Sequence, residues 1–379
     1  MSWAVPLSDV RLAEDEVQAV IECLRSGWLT MGPRTAALEA ALAESTGAEH
    51  VVAVSSGTAA LHLACRAAGL GPGDQMIVPP LTFIASAAAA RYCGAEPVLC
   101  DVRSPHEPNL DPADVERRIT PRTRAVMAVH FGGYPADVLA LRGLCDERDL
   151  ILIENTAQAI GARVGDGDMQ AGIVGHIGCL SFFSKTQLCL GEGGAVLTAD
   201  AQLARSVRSL RSHAMTSGTW DRHRGHKDAY DVIDVGYNYR LDEPRAALGL
   251  ARLPRLAADL AARRAVVQTY RERLRELPGL ELAWNDRAVR LSSHFAFFVL
   301  LEDHAARDAF RAELADRGVQ TTWYPALHKF TEYRGLAEWG SLPHAEAASD
   351  RHCVLPLSPT MDDATLDTVV SAVRGALGA

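Results

Sequence analysis

Between residues 50 and 198 the chain alternates short apolar runs with helix-like stretches, and this alternation constrains the fold more than any other feature. The apolar runs are His50–Val54, Gln75–Val78, Glu96–Cys100, Arg124–His130, Leu150–Ile153, Ile177–Phe183 and Ala195–Thr198. Helix patterns such as Ala59–Ala68 and Phe83–Tyr92 fill gaps between them. Short apolar strands joined through helices predict an α/β fold around a mainly parallel sheet. An amphipathic stretch from Glu243 to Leu277 follows and stops at Pro278-Gly279, a pair that breaks helices. Beyond it, His294–Leu301 reads as a strand and Ala305–Arg317 as a helix, which predicts a smaller α+β C-terminal domain. The expected division is 1–250 and 251–379. The polar, aromatic segment Ser212–Asp234 is long and irregular, the pattern of a lid or a subunit-crossing loop.

Charge and composition narrow the partners. A net charge of −9 argues against a nucleic-acid or anionic-membrane surface. No apolar run approaches the ~20 residues of a membrane-spanning helix, and the N-terminus has no signal pattern, so the expected location is the cytoplasm. The eight cysteines form no CxxC pair and no zinc-like spacing. Lys185, Lys227 and Lys329 are the only lysines among 38 basic residues, so lysine chemistry has few candidates.

Several motifs carry chemistry. Ser55-Ser56-Gly57-Thr58-Ala59 follows a strand and opens a helix, where backbone N–H groups and the positive helix end favour an anion. The aromatic Phe83 follows Pro79-Pro-Leu-Thr82. Glu154-Asn155-Thr-Ala-Gln158 ends a buried strand. Ser181-Phe-Phe-Ser-Lys185-Thr186 leads into the Gly-rich turn Gly191-Glu192-Gly-Gly194. Gly236-Tyr-Asn238-Tyr-Arg240 follows the long loop, and Tyr324-Pro-Ala-Leu-His328 lies near the C-terminus.

Taken in order, these segments resemble the DegT/StrS-type sugar aminotransferases, pyridoxal-phosphate (PLP) enzymes of the fold-type-I class, from about Ser26 to the C-terminus. The resemblance implies a PLP phosphate on Ser56, Gly57 and Thr58, stacking by Phe83, and further cofactor contacts from Gln158 and Ser181. It also implies that Asn238 reaches across a two-fold interface, which makes the protein a homodimer with shared sites. Two positions depart from the family pattern. The family's Schiff-base lysine stands five residues after the serine and its acidic residue eleven after. Ser181 and Glu192 keep the second spacing, but the fifth position is Thr186 and the lysine is Lys185. The family's pyridine-side Asp is here Asn155, which supplies no charge to hold a proton on the ring nitrogen.

A one-residue shift turns a side chain to the opposite face of a strand, or by about 100° around a helix, which directs Lys185 away from the cleft. The leading expectation is therefore an enzyme of bacterial small-molecule (secondary-metabolite or deoxysugar) biosynthesis that works without PLP. It has no covalently bound cofactor and uses the old cleft for acid–base steps such as cyclisation, elimination or isomerisation. Its candidate catalytic groups are Lys185, Thr186, Asn155 and His328, followed by Gln158 and then Glu192. One alternative is a PLP-dependent aminotransferase of a keto sugar or aminocyclitol, with PLP or its amine form (PMP) bound and Lys185 as anchor. The other is a non-catalytic partner of an active aminotransferase. The substrate in any catalytic reading is a small molecule, phosphorylated or nucleotide-linked if the cleft still holds a phosphate.

Overall fold

The computed structural model describes residues 3–217 and 229–378. Its centre is a seven-stranded sheet in the order β1-β9-β8-β5-β4-β2-β3. The strands are β1 (His50–Val54), β2 (Gln75–Val78), β3 (Glu96–Leu99), β4 (Thr123–Val129), β5 (Ile151–Asn155), β8 (Ile177–Ser181) and β9 (Gly194–Thr198); β6 (Arg163–Val164) and β7 (Met169–Gln170) form a separate hairpin. Contacts from β3 through β8 are parallel, and β9 alone runs against its neighbours. Strand pleating sorts the apolar side chains between two faces. Met76, Val78, Met127 and Ile153 enter one core, while Ile77, Val126 and Leu152 enter the other. A sheet covered on both faces accounts for apolar runs without polar alternation.

Helix starts follow local chemistry. Ser56, Asp137, Asp200, Asp242, Asp303 and Asp362 each accept a backbone N–H from the first turn of the helix they precede. The amphipathic stretch after Glu243 forms two helices, Glu243–Arg252 and Leu256–Leu274, joined through a short turn that contains Pro254. Its second helix ends before Pro278, as the sequence predicts. β5 runs two residues further than its apolar core suggests, because Asn155 still pairs with Val129 of β4.

Toward the C-terminus, β10 (Glu281–Leu282), β11 (Phe297–Leu300) and β12 (His352–Leu355) form an antiparallel sheet. Phe297, Phe298, Val354 and Leu355 join the same core as Met127 and Ile153, so the two sheets share one apolar interior. The N-terminal segment crosses the expected division. Val5 bridges Val319 in parallel, and Leu7 N–H donates to Gln320 Oε1 at 2.9 Å. Among the described residues no helix is long and apolar enough to cross a membrane. Lys227 and the middle of Ser212–Asp234 lie outside the described residues.

Candidate active site

A cleft of about 480 Å³ opens where β1, β5 and β8 end. Ser56, Gly57, Thr58, Phe83, Asn155, Gln158, Ser181, Lys185 and Thr186 all line it, together with Glu192. The site residues singled out from the sequence are therefore brought together, except that His328 and Asn238 are not among the lining residues.

The first wall is the start of the helix Gly57–Ala67. Ser56 Oγ accepts from Ala59 N at 3.1 Å and fixes the first turn. A Cβ on Gly57 would lie 2.7 Å from Ser181 Cβ, so only glycine lets this helix end approach β8 so closely. Phe83 is 63% exposed and presents an uncovered aromatic ring to the cleft.

The floor is the end of β5. Glu154 is fully buried and turns away from the cleft. Its carboxylate accepts from His130 Nε2 at 2.9 Å, Gly172 N at 2.8 Å, Val174 N at 2.8 Å and Gly175 N. His130 Nδ1 accepts from Ala136 N at 3.1 Å, so the ring proton sits on Nε2 and points at Glu154. Burial alone would raise the Glu154 pKa, but His130 and these amides outweigh it and hold the carboxyl below its usual range. On the cleft side, Asn155 Nδ2 donates to Ser86 Oγ at 2.9 Å, and Asn155 Oδ1 accepts from Ala157 N at 3.1 Å. Gln158 Oε1 accepts from Gly132 N at 2.8 Å.

The segment after Ser181 decides where the lysine points. It is neither strand nor helix beyond Ser181, so neither face rule applies. Thr186 N–H donates to Phe183 O at 2.9 Å and closes a turn. Thr186 is buried, with its hydroxyl 2.8 Å from Phe183 O and 3.1 Å from Leu188 O. Lys185 is exposed at the cleft edge and, among the described residues, has no hydrogen bond or ion pair. The expectation that the register shift carries Lys185 out of the cleft is corrected: a tight turn lets two successive side chains reach the same cavity.

His328 sits on the turn Leu327–Lys329 with Nε2 3.3 Å from Glu346 Oε1. Burial, only partly opposed by Glu346, lowers its pKa. Asn238 forms a backbone bridge with Ser212, and its neighbours Tyr237 and Tyr239 stack on each other beside His62.

Apart from Tyr324, which the Tyr324–His328 motif marks, sequence reasoning missed the opposite wall. Leu7, Ser8, Phe295, Thr322 and Leu357 face the cleft along with Tyr324. Burial pushes the Tyr324 phenol up to about 12, so it remains a neutral hydrogen-bonding group at ordinary pH. Long-range pairing of Val5 with Val319 and hydrogen bonds of Leu7 with Gln320 and Leu357 bring Leu7 and Ser8 here, and no local signal announces them.

Comparison with known proteins places this arrangement. Residues 10–374 match the DegT/DnrJ/EryC1/StrS aminotransferase family. The chain belongs to that family. It is 36% identical over 372 residues to a dTDP-4-dehydro-2,3,6-trideoxy-D-glucose 4-aminotransferase of Saccharopolyspora spinosa, covering 97% of this chain and 95% of the relative. The aminotransferase TlmJ from Streptoalloteichus hindustanus superposes with a TM-score of 0.90 at 35% identity, over 99% of both chains. NtdA from Bacillus subtilis, solved with bound PMP, gives a TM-score of 0.85 at 27% identity over 97% of this chain and 83% of its own. The fold is that of the fold-type-I aminotransferases.

These findings overturn the expectation of PLP-independent cyclisation, elimination or isomerisation without a bound cofactor: relatives matched over nearly their whole length are named aminotransferases, and one neighbour holds PMP. The local chemistry agrees with the correction. Of the acid–base candidates, Thr186 has its hydroxyl committed to the turn and His328 is not among the cleft-lining residues. Asn155 and Gln158 are neutral amides, which leaves Lys185 and the exposed carboxylate of Glu192 as the titratable candidates that line the cleft.

Proposed function

We propose that this family member is a PLP-dependent aminotransferase that transfers an amino group to a keto sugar or aminocyclitol precursor. The carrying observation is Lys185: an exposed lysine, unpaired among the described residues, in a cleft that also holds an uncovered aromatic ring and a helix N-terminus. These residues fit the cofactor. The N–H groups around Gly57 and Thr58 suit its phosphate, the Phe83 ring its flat face, and the Lys185 amine its aldehyde. When bound, PLP supplies an aldehyde that exchanges amino groups and a ring that withdraws electrons from the reacting carbon.

The chain's own residues do the remainder. Lys185 takes the anchoring role from one position before Thr186, where the family pattern has its lysine, and its amine is the group placed to move a proton at the reacting carbon. Asn155 stands in place of the family's Asp. Tyr324 and Ser8 offer hydroxyls to the substrate from the opposite wall, while Leu7, Phe295 and Leu357 exclude water from it. Similarity to the Saccharopolyspora spinosa enzyme favours a nucleotide-linked deoxy keto sugar. We assign the active form as a cytoplasmic homodimer in which Asn238 completes the partner's site, and the functional units as 1–250 and 251–379.

Absorbance after incubation with PLP, followed by borohydride reduction and peptide mapping, tests this reading. The expected result is a reducible chromophore fixed on Lys185, and turnover of keto sugars with glutamate or glutamine. A protein that shows no chromophore and no modified lysine overturns it.

A further inference from the structure

At the cleft floor Asn155 is tied to two buried hydroxyls behind it, Thr82 and Ser86, which have no role in the reaction so far. Thr82 Oγ1 and Ser86 Oγ are 2.7 Å apart, and Ser86 Oγ accepts from Asn155 Nδ2 at 2.9 Å. All three residues are buried, Asn155 being 6% exposed. The Ala157 N–H, 3.1 Å from Asn155 Oδ1, fixes which way the carboxamide faces, because a flipped amide would set N–H against N–H. One N–H and one oxygen lone pair of Asn155 remain open.

In the pyridine ring of PLP the nitrogen lies opposite the carbon that bears the aldehyde. A cofactor anchored on Lys185, at the exposed edge of the cleft, would turn that nitrogen toward the buried end. Of the other polar groups that line the cleft, the Thr186 hydroxyl is committed to Phe183 and Leu188, Gln158 Oε1 accepts from Gly132 N, and Ser181 Oγ accepts from Phe183 N. Among the described residues no carboxylate serves there. Glu154 turns away into its own cluster of amides, and Glu192, the one carboxylate among the described residues that line the cleft, is exposed.

We propose that Asn155, held by the Thr82–Ser86 pair and Ala157, is a neutral hydrogen-bond partner for the cofactor's ring nitrogen and leaves that nitrogen unprotonated. This rests on the proposed PLP-dependent function. A neutral amide does not hold a proton on the ring as a carboxylate does, so the ring withdraws electrons less strongly. Ser86 and Thr82 are positioning residues, acting through Asn155.

The test is the ¹⁵N chemical shift of ring-labelled PLP bound to the full-length protein at neutral pH, with Asn155→Asp and Ser86→Ala alongside. The expected result is an unprotonated nitrogen in the natural protein and a protonated one in Asn155→Asp. Ser86→Ala should retain the unprotonated shift and bind PLP several-fold more weakly. A protonated nitrogen in the natural protein overturns this inference alone, whether or not Asn155→Asp folds. Absence of any bound-cofactor resonance overturns the proposed function and this inference together. Unchanged PLP affinity in Ser86→Ala overturns the positioning role.

Discussion

The floor of the cleft and its lysine turn are built from neighbouring strands, β5 and β8, yet they spend their polar groups in opposite ways. Around Glu154 each named polar contact is internal: His130 and the amides of Gly172, Val174 and Gly175 saturate one carboxylate that never meets the cleft. Beside it, the turn after Ser181 commits the Thr186 hydroxyl inward and leaves Lys185 with no partner among the described residues. A saturated group stabilises, and an unsaturated one is left for a ligand. Charge and burial alone do not distinguish a catalytic group from a structural one; the remaining hydrogen-bonding capacity does.

Stability measurements can break this contrast. The largest effect is expected from Glu154→Ala, which leaves several buried donors unpaired: a loss of about 3–5 kcal/mol in urea unfolding. A loss near zero would mean the cluster is wet and the floor is not rigid. Acidification comes next. Burial lowers the pKa of His294 from 6.5 to about 3 and that of His352 to about 4. Between those values and 6.5 the unfolded chain binds more protons than the folded one, so stability falls as pH drops through that window. Glu154, whose carboxyl is held below its usual 4.5, adds a further loss below that pH. Urea midpoints from pH 7 down to pH 4, flat rather than falling, would contradict both assignments.

Thr186→Val removes the inward hydroxyl while keeping the shape and the backbone bond, and should cost about 1 kcal/mol. Far greater damage to transamination than to stability would sharpen the picture differently, by placing Thr186 in the chemistry. The smallest stability change belongs to Lys185→Ala, within about 0.5 kcal/mol, since nothing folded depends on that amine. The same variant should lose borohydride-fixed PLP entirely. A Lys185→Ala protein that unfolds much more readily would show that the lysine has a structural partner after all.

Much of this molecule was legible beforehand. The strands His50–Val54 and Gln75–Val78 fall where their apolar runs lie, because a strand buried on both faces has no polar alternation to blur its edges. The helix start at Ser56 was legible because a strand-to-helix turn with a Ser cap is local chemistry. Lys185 was misread for a related reason: face rules hold for strands and helices, and residues beyond Ser181 form neither. Asn155 could be named as a site residue, but its fixation by Ser86 depends on a contact across 69 positions.

The sequence by itself determined the parallel sheet, the order of its elements and the family, since strand burial, caps and turn glycines act over a few residues. Only the tertiary structure decided which polar groups stay unsatisfied, which wall Leu7 and Ser8 complete, and that Lys185 and Thr186 share one cavity. Each of those outcomes depends on hydrogen bonds and packing between residues far apart in the chain, or on turn geometry that has no sequence period to reveal it.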